Sequence, residues 1–166
     1  MMLQVDEKET VRQFCHSWFV ERDLEKTMAF LTDDISFIGT GIDECVKGYK
    51  EMEAYVRQDI SEIHEPFAME LSIIHVRHLT DQICLISSEL QLKNSFYCWI
   101  LRFFFTLSRQ EGVWYICNCH AAEPGISQRG KEHYPETLVV KNIAEQRLEF
   151  LNDTLAGGMM GGYVGE

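Results

Sequence analysis

Positive charge is scarce in this sequence and is nowhere clustered. The 166 residues include 15 Lys and Arg against 26 Asp and Glu, so the formal net charge is −11. Binding to nucleic acid or to an anionic membrane surface depends on clustered positive charge, and a net negative field repels both. The composition therefore predicts that neither nucleic acid nor a membrane is a partner.

Long apolar runs are also missing. Residues 1–6 turn acidic at once and lack the basic opening and apolar run of a secretory signal. The most apolar stretch, residues 96–107, is much shorter than a membrane span and contains Arg102. These absences lead us to expect a cytoplasmic protein.

Cysteine is present but is not arranged for metal binding. The six cysteines lie in apolar segments without a CxxC pair, and Cys117 and Cys119 form the only close pair. In a cytosolic chain such cysteines are mostly small buried side chains, and two neighbouring thiols do not complete a zinc site. His75 and His78 are three positions apart, so a strand directs their side chains to opposite faces and the two cannot bind one metal. We therefore expect neither a metal nor a cofactor.

Apolar residues are plentiful, at 46% of the chain against 25% charged residues. A chain of this length and composition forms one domain that buries about two thirds of its surface. Three helical patterns occupy its first part, near residues 6–19, 24–31 and 47–60, and Asp6 and Asp23 are the expected caps of the first two. The apolar residues of the first helix follow the spacing of one helical face: Val11, Phe14, Cys15, Trp18 and Phe19.

Strand-like runs follow the helices. They cover residues 67–79, 82–92, 96–108 and 113–122, and short polar breaks separate them. One more short strand is expected earlier, over residues 35–38, between the second and third helices. Such short connections join antiparallel neighbours, because a parallel crossover needs a dozen residues or more. The expected fold class is α+β, with three N-terminal helices packed on one face of a curved, mainly antiparallel sheet.

The C-terminal part has a different character. We expect the folded domain to end near residue 125, and a linker with a helix to cover residues 126–155. Ala144, Leu148, Leu151 and Leu155 step by four, three and four, which is typical of a coiled-coil seam but equally of a helix docked on its own domain. Residues 156–166 hold five of the eleven glycines, and we expect them to be disordered.

Two segments carry a resemblance to a known family. Residues 33–44, followed by Gly48, resemble the SnoaL-like branch of the nuclear transport factor 2-like superfamily. The last strand of that branch commonly reads Trp-x-Ile-x-His-x-His-x-Ser-x-Pro. Trp114, Ile116, His120 and Pro124 match this pattern, whereas Asn118 and Ala122 replace a His and the Ser. The resemblance covers about residues 6–124 and implies a cystatin-like cone.

A narrower resemblance concerns the segment that follows. His120 and Pro124, then Glu132-x-Tyr134-Pro135 and a leucine-bearing helix, are similar to bacterial signalling proteins in which this domain precedes a PAS or GGDEF output domain. The glycine-rich end looks like the start of a truncated PAS domain. The superfamily implies a pocket between sheet and helices, and a homodimer formed through the outer face of the sheet. It implies no single activity.

His120 is the leading candidate for the pocket. Strict alternation along the last strand places it on one face with Trp114, Ile116 and Asn118. An imidazole there serves as an acid, a base or a hydrogen-bond partner near neutral pH, and the alternative is a buried histidine bonded to the backbone. Asn118 supplies a donor and an acceptor but transfers no proton, which argues against a two-histidine mechanism.

Further candidates follow from the need for an apolar pocket with few polar groups. Its lining is predicted from five aromatic residues that could equally be plain core: Trp18, Phe37, Tyr55, Trp99 and Phe103. Asp59 is a candidate base, with Tyr55 or Tyr97 as the donor, but spacing pairs none of them. Arg102 either holds a ligand carboxylate or phosphate, or lies on the outer sheet face as a charge at a dimer interface or its rim.

Three hypotheses for the function result. The first is a non-catalytic, dimeric sensory module that binds a small apolar or aromatic ligand and signals through the C-terminal helix. The second is a cofactor-free isomerase or cyclase in which His120 transfers a proton. The third is a dimerisation scaffold with a filled interior. If the space between the helices and the sheet is packed with side chains, only this third hypothesis remains.

Overall fold

The structure, a computed structural model, describes residues 6–124. Its elements in chain order are α1 (Glu7–Cys15), a π-helical segment (His16–Glu21), α2 (Leu24–Met28), β1 (Leu31–Ile38), β2 (Cys45–Lys47), α3 (Tyr49–Glu62), β3 (Ala68–Thr80), β4 (Ile83–Lys93), β5 (Cys98–Gln110) and β6 (Val113–Ala122). The α+β class is confirmed. The predicted linker and helix over residues 126–155 and the tail over 156–166 lie outside the described residues.

The N-terminal helices begin where their capping residues predict. The Asp6 carboxylate accepts a hydrogen bond from the Glu9 amide at 2.7 Å, and Asp23 accepts one from the Lys26 amide at 3.0 Å. These bonds satisfy backbone donors that the first turn of a helix leaves unpaired. Arg22 has a left-handed backbone with φ 55°, which ends the π-helical segment just before α2. Within residues 6–124, no helix is long and apolar enough to cross a bilayer.

The six strands form one mixed sheet in the order β2-β1-β6-β5-β4-β3. β1 and β6 are parallel and all other neighbours are antiparallel, which agrees with the expected meander of β3 to β6. The sequence pattern missed the short strand β2 and placed the start of β1 four residues late. On β5 the expected inner face is confirmed, since Phe103, Phe105 and Leu107 are buried while Arg102 is exposed.

A bulge in β6 changes which side chains face the helices. Thr106 pairs with Asn118 whereas Leu107 pairs with Ile116, so Cys117 is an extra residue without a partner on β5. Ile116 is buried before the bulge, and Cys119 is buried after it. The expectation of one continuous face is therefore wrong: Asn118 and His120 lie on the opposite side of the sheet from Trp114 and Ile116.

Candidate functional site

Aromatic rings occupy the space between the helices and the sheet. The Trp18 indole stacks on Phe19 with 4.9 Å between ring centroids, and it meets Phe37 and Tyr55 edge-on at 5.8 and 6.1 Å. Phe37 and Tyr55 are themselves 5.0 Å apart. Trp18 and Phe37 are each only 2% exposed. These residues, expected to line a ligand pocket, therefore pack against one another.

The remaining two predicted pocket residues extend this packing along the sheet. Phe103 is 2% exposed and stacks on Phe105 with 5.5 Å between centroids. Trp99 is only half-buried and lies 5.5 Å from the Phe67 ring. We define the aromatic cluster as Trp18, Phe19, Phe37, Tyr55, Phe103 and Phe105. Ring pairs of this kind stabilise a core by about 0.5–1.5 kcal/mol each beyond their area burial.

Asp59, the candidate base, is held by two donors inside this packing. Its Oδ2 accepts from Trp18 Nε1 at 2.8 Å and from Arg22 Nη1 at 3.0 Å. Arg22 Nη2 also donates to the backbone oxygens of Asp59 and Ile63, at 2.8 and 2.9 Å. The Arg22 side chain is only 7% exposed. This geometry fits a buried anchor between the π-helical segment and α3 better than a base open to substrate.

The candidate proton donors do not form a pair with Asp59. Burial first, and then the charge of Glu44 and hydrogen bonding with it, raise the pKa of Tyr55, so its hydroxyl keeps its proton at neutral pH. Glu44 also accepts a hydrogen bond from the Gly41 amide at 2.7 Å, which fixes this carboxylate in the loop before β2. Tyr97 is 41% exposed and its ring lies 4.7 Å from that of Trp99.

His120 lies on the outer face, beside apolar neighbours. Its strand partners are Phe104 on β5 and Ile38 on β1, and its ring centroid is 6.4 Å from that of Phe104. Asn118 donates to the Ser36 hydroxyl at 2.6 Å on the same face. Within residues 6–124 no carboxylate contacts the His120 imidazole, so these residues give it no partner for proton transfer.

The outer face of the sheet carries several large apolar residues that are exposed. Ile38, Ile100 and Phe104 are 46%, 45% and 46% exposed, although each belongs to a strand whose other side is buried. Arg102 lies on this face, where its Nε is 3.4 Å from the Glu89 carboxylate, so the ligand-binding alternative for Arg102 is not supported. We define the outer face as the side of the sheet that bears Ile38, Ile100, Arg102, Phe104 and His120.

An open cleft of about 700 Å³ lies on the helical side, where α1, the π-helical segment and α2 approach β3. Phe30, Met69 and Leu71 contribute its apolar lining. Its polar groups lie close to one another: Glu21 is 2.9 Å from Lys26 Nζ and 3.5 Å from His16 Nδ1. A charged ligand in this cleft would compete with the Glu21–Lys26 ion pair.

One cluster of chemically active side chains escaped the sequence analysis. Glu7, His78 and Cys84 converge at the start of α1, with ligand atoms that all lie within 4.8 Å of one another. His78 and Cys84 are direct partners on β3 and β4, but this register depends on a bulge between His78 and Thr80 that the short polar break at Thr80 and Asp81 does not indicate. No sequence signal places Glu7 beside them, because α1 crosses the sheet from far along the chain.

A helical layer on one side of a curved mixed sheet defines the cystatin-like α+β fold. The family model described as the SnoaL-like domain matches residues 8–124, and the chain belongs to this family. The comparison with curated proteins gave no match.

Three solved structures illustrate the likeness. A putative calcium/calmodulin-dependent protein kinase type II association domain from Thiobacillus denitrificans is 14% identical, with a TM-score of 0.63 over 72% of this chain and 95% of its own. A ketosteroid isomerase-like protein from Erwinia carotovora atroseptica is 15% identical, with a TM-score of 0.62 over 75% and 99%. A domain of unknown function with a cystatin-like fold from Nostoc punctiforme is 16% identical, with a TM-score of 0.60 over 92% and 93%. At these identities the likeness shows the fold alone.

Proposed function

We propose that this domain is a non-catalytic pairing module, in which two copies associate through the outer faces of their sheets. The observation that carries the proposal is the contrast between the two sides of the sheet. On the helical side, the aromatic cluster fills the space next to the open cleft, whereas Ile100 and Phe104 remain nearly half exposed on the outer face. Exposed apolar surface on a folded domain marks a site of association.

Charge supports a second copy of this chain as the occupant. By strand register, the outer face of β3 to β5 carries five charged residues: Glu70, Glu89, Arg77, Lys93 and Arg102. These charges nearly balance, although the whole chain has a net charge of −11. Two copies can therefore approach on this face with less repulsion than on the acidic remainder of the surface.

The size of the face is also sufficient. Five strands about 4.8 Å apart, each about ten residues long at roughly 3.3 Å per residue, span about 800 Å². A stable protein–protein interface buries about 800 Å² on each partner. The Thiobacillus denitrificans protein is named as an association domain, which agrees with this proposal without testing it.

The first prediction is that Phe104→Glu converts a dimer of the full chain into monomers. In a two-fold pair, carboxylates introduced at the centre of the face would be buried against apolar surface, at a cost of several kcal/mol. Sedimentation velocity measures the mass. Phe96→Glu is the matched control, because Phe96 is 80% exposed in the β4–β5 connection.

A double variant, Leu148→Ala with Leu151→Ala, distinguishes association through the outer face from association through the predicted coiled coil. Circular dichroism confirms that each variant is folded. A Phe104→Glu protein that stays dimeric would contradict the proposal, and so would a wild type that is monomeric at high concentration. Dimers lost only in the leucine variant would assign association to the C-terminal segment.

The other predicted roles have less geometric support. A small ligand would use the open cleft rather than the filled interior, and Phe30, Met69 and Leu71 favour an amphiphilic molecule there. A thermal-shift screen tests this second candidate, since a ligand selective for the folded state raises its stability. Proton transfer by His120 requires a site on the outer face. Signalling to a PAS or GGDEF domain depends on residues beyond 124 and stays a prediction.

A further inference from the structure

We propose that Glu7, His78 and Cys84 form a binding site for one Zn²⁺ ion, at the end of the sheet where α1 begins. Glu7 Oε1 and His78 Nε2 are 3.3 Å apart, and the Cys84 sulfur completes a group whose ligand atoms all lie within 4.8 Å. This site is separate from the outer face, and its test is independent of the pairing proposal.

The backbone brings the three side chains together. His78 pairs directly with Cys84 across β3 and β4, so both side chains project on the same side of the sheet. That side faces α1, and Glu7 is the first residue of this helix. Glu7 is 16% exposed and Cys84 is fully buried, whereas the His78 side chain is 51% exposed. The group is therefore mostly preformed and is open to solvent through the histidine.

The spacing suits a tetrahedral ion. Zinc lies about 2.0–2.2 Å from nitrogen and oxygen and about 2.3 Å from sulfur, which places tetrahedral ligands roughly 3.3–3.7 Å apart. The distance of 3.3 Å between Glu7 Oε1 and His78 Nε2 falls in this range, and a side-chain adjustment of about 1 Å brings the Cys84 sulfur into it. Imidazole together with thiolate is a ligand combination that favours zinc over magnesium or calcium. Three protein ligands leave the fourth position to water.

The charge balance also favours a divalent ion. A Cys84 thiolate and the Glu7 carboxylate together carry two negative charges, which one Zn²⁺ neutralises. Binding forms a zinc–sulfur bond and releases the thiol proton to solvent.

Cobalt provides the direct test, because a Co²⁺–thiolate bond gives a charge-transfer absorption band in the near ultraviolet. The full chain, without an affinity tag, is stripped with a chelator and reduced, and is then titrated with Co²⁺. We expect the band to saturate at one ion per chain and to disappear when Zn²⁺ is added. We also expect Zn²⁺ to raise the thermal midpoint of the wild type.

Variants assign the band to the site. Cys84→Ala should abolish it, and His78→Gln and Glu7→Gln should each weaken binding by more than ~100-fold. His75→Gln is the matched control on the same strand, and Cys45→Ser is an exposed cysteine elsewhere. Both controls should bind as the wild type does. Circular dichroism and thermal melting show that each variant is folded.

Three results would overturn the proposal. The first is an absent charge-transfer band in folded wild type at neutral to alkaline pH. The second is a band that survives Cys84→Ala, since it would come from another cysteine. The third is equal weakening by His75→Gln and His78→Gln.

Discussion

The buried Arg22 guanidinium joins the π-helical segment to the C-terminal end of α3. It donates to the Asp59 carboxylate and to the backbone oxygens of Trp18, Asp59 and Ile63. Its centre also lies 5.9 Å from the Phe67 ring centroid, within the range of a cation–π interaction. Its only carboxylate partner within residues 6–124 is Asp59. The stability of the helical layer therefore depends on that carboxylate.

Asp59→Ala should lower the free energy of unfolding by about 2–3 kcal/mol, because it leaves a buried cation without its counter-charge. Urea unfolding followed by circular dichroism measures the change. The control on the same helix is Glu53→Ala, which breaks an exposed ion pair with Arg57 and should cost less than about 0.5 kcal/mol. Similar losses in the two variants would contradict the anchoring role.

At the scale of secondary structure, the single extra residue in β6 decides what faces the helices. Side chains alternate along a regular strand, so an extra residue that stays outside the pairing puts every later side chain on the face opposite to the one that alternation along the sequence predicts. Cys117 is this residue, and its thiol is 3.3 Å from the Thr106 carbonyl oxygen. Beyond it, Cys119 and Ala121 pack into the core while Asn118 and His120 remain on the outer face.

Deleting Tyr115 should therefore destabilise the protein far more than deleting Cys117 does. Without Cys117, Asn118 follows Ile116 directly, so continuous pairing with β5 keeps Ile116 in the core and Asn118 on the outer face. Without Tyr115, continuous pairing turns the fully buried Ile116 to the outer face and brings Cys117 into its place. The loss of a buried isoleucine side chain costs about 2–5 kcal/mol, so we expect the Tyr115 deletion to melt about 10 °C or more below the Cys117 deletion, given about 4–8 °C per kcal/mol in a small domain. Equal melting temperatures of the two deletion variants would contradict this account.

The sequence could predict the elements better than the site. Helical spacing placed Trp18 in the interior, and alternation placed Phe103 and Phe105 on the inner face, because local periodicity reports burial directly. Alternation gave the wrong face for His120, because no residue type in β6 indicates a bulge. It also missed the contacts of Asp59 with Trp18 and Arg22, which are 41 and 37 residues away in the chain. Such contacts depend on how helices pack, and helical spacing alone does not encode them.

At the scale of the whole molecule, the cysteines divide by exposure. Cys15 on α1 and Cys119 on β6 are fully buried, in a layer that includes the aromatic cluster. Burial raises the pKa of both thiols, and each is held in its neutral form at physiological pH. Cys45 and Cys98 are exposed. Because the thiolate is the reactive form, the exposed and buried thiols should differ strongly in reactivity.

We expect an alkylating reagent at neutral pH to modify Cys45, on the edge strand β2, within the native state and to reach Cys15 and Cys119 only when the domain unfolds. These two thiols are buried on α1 and β6, which pack against each other, so fraying of the domain's ends does not expose them. The rate of their labelling should therefore follow the global unfolding equilibrium. Peptide mass spectrometry after timed labelling, with a chelator present, measures each site. Adding urea below the transition should accelerate Cys15 and Cys119 in parallel and leave Cys45 nearly unchanged. Labelling of Cys119 without Cys15 would instead mean that β6 opens independently, and the helical layer would then not be the single cooperative core inferred from the packing of its rings.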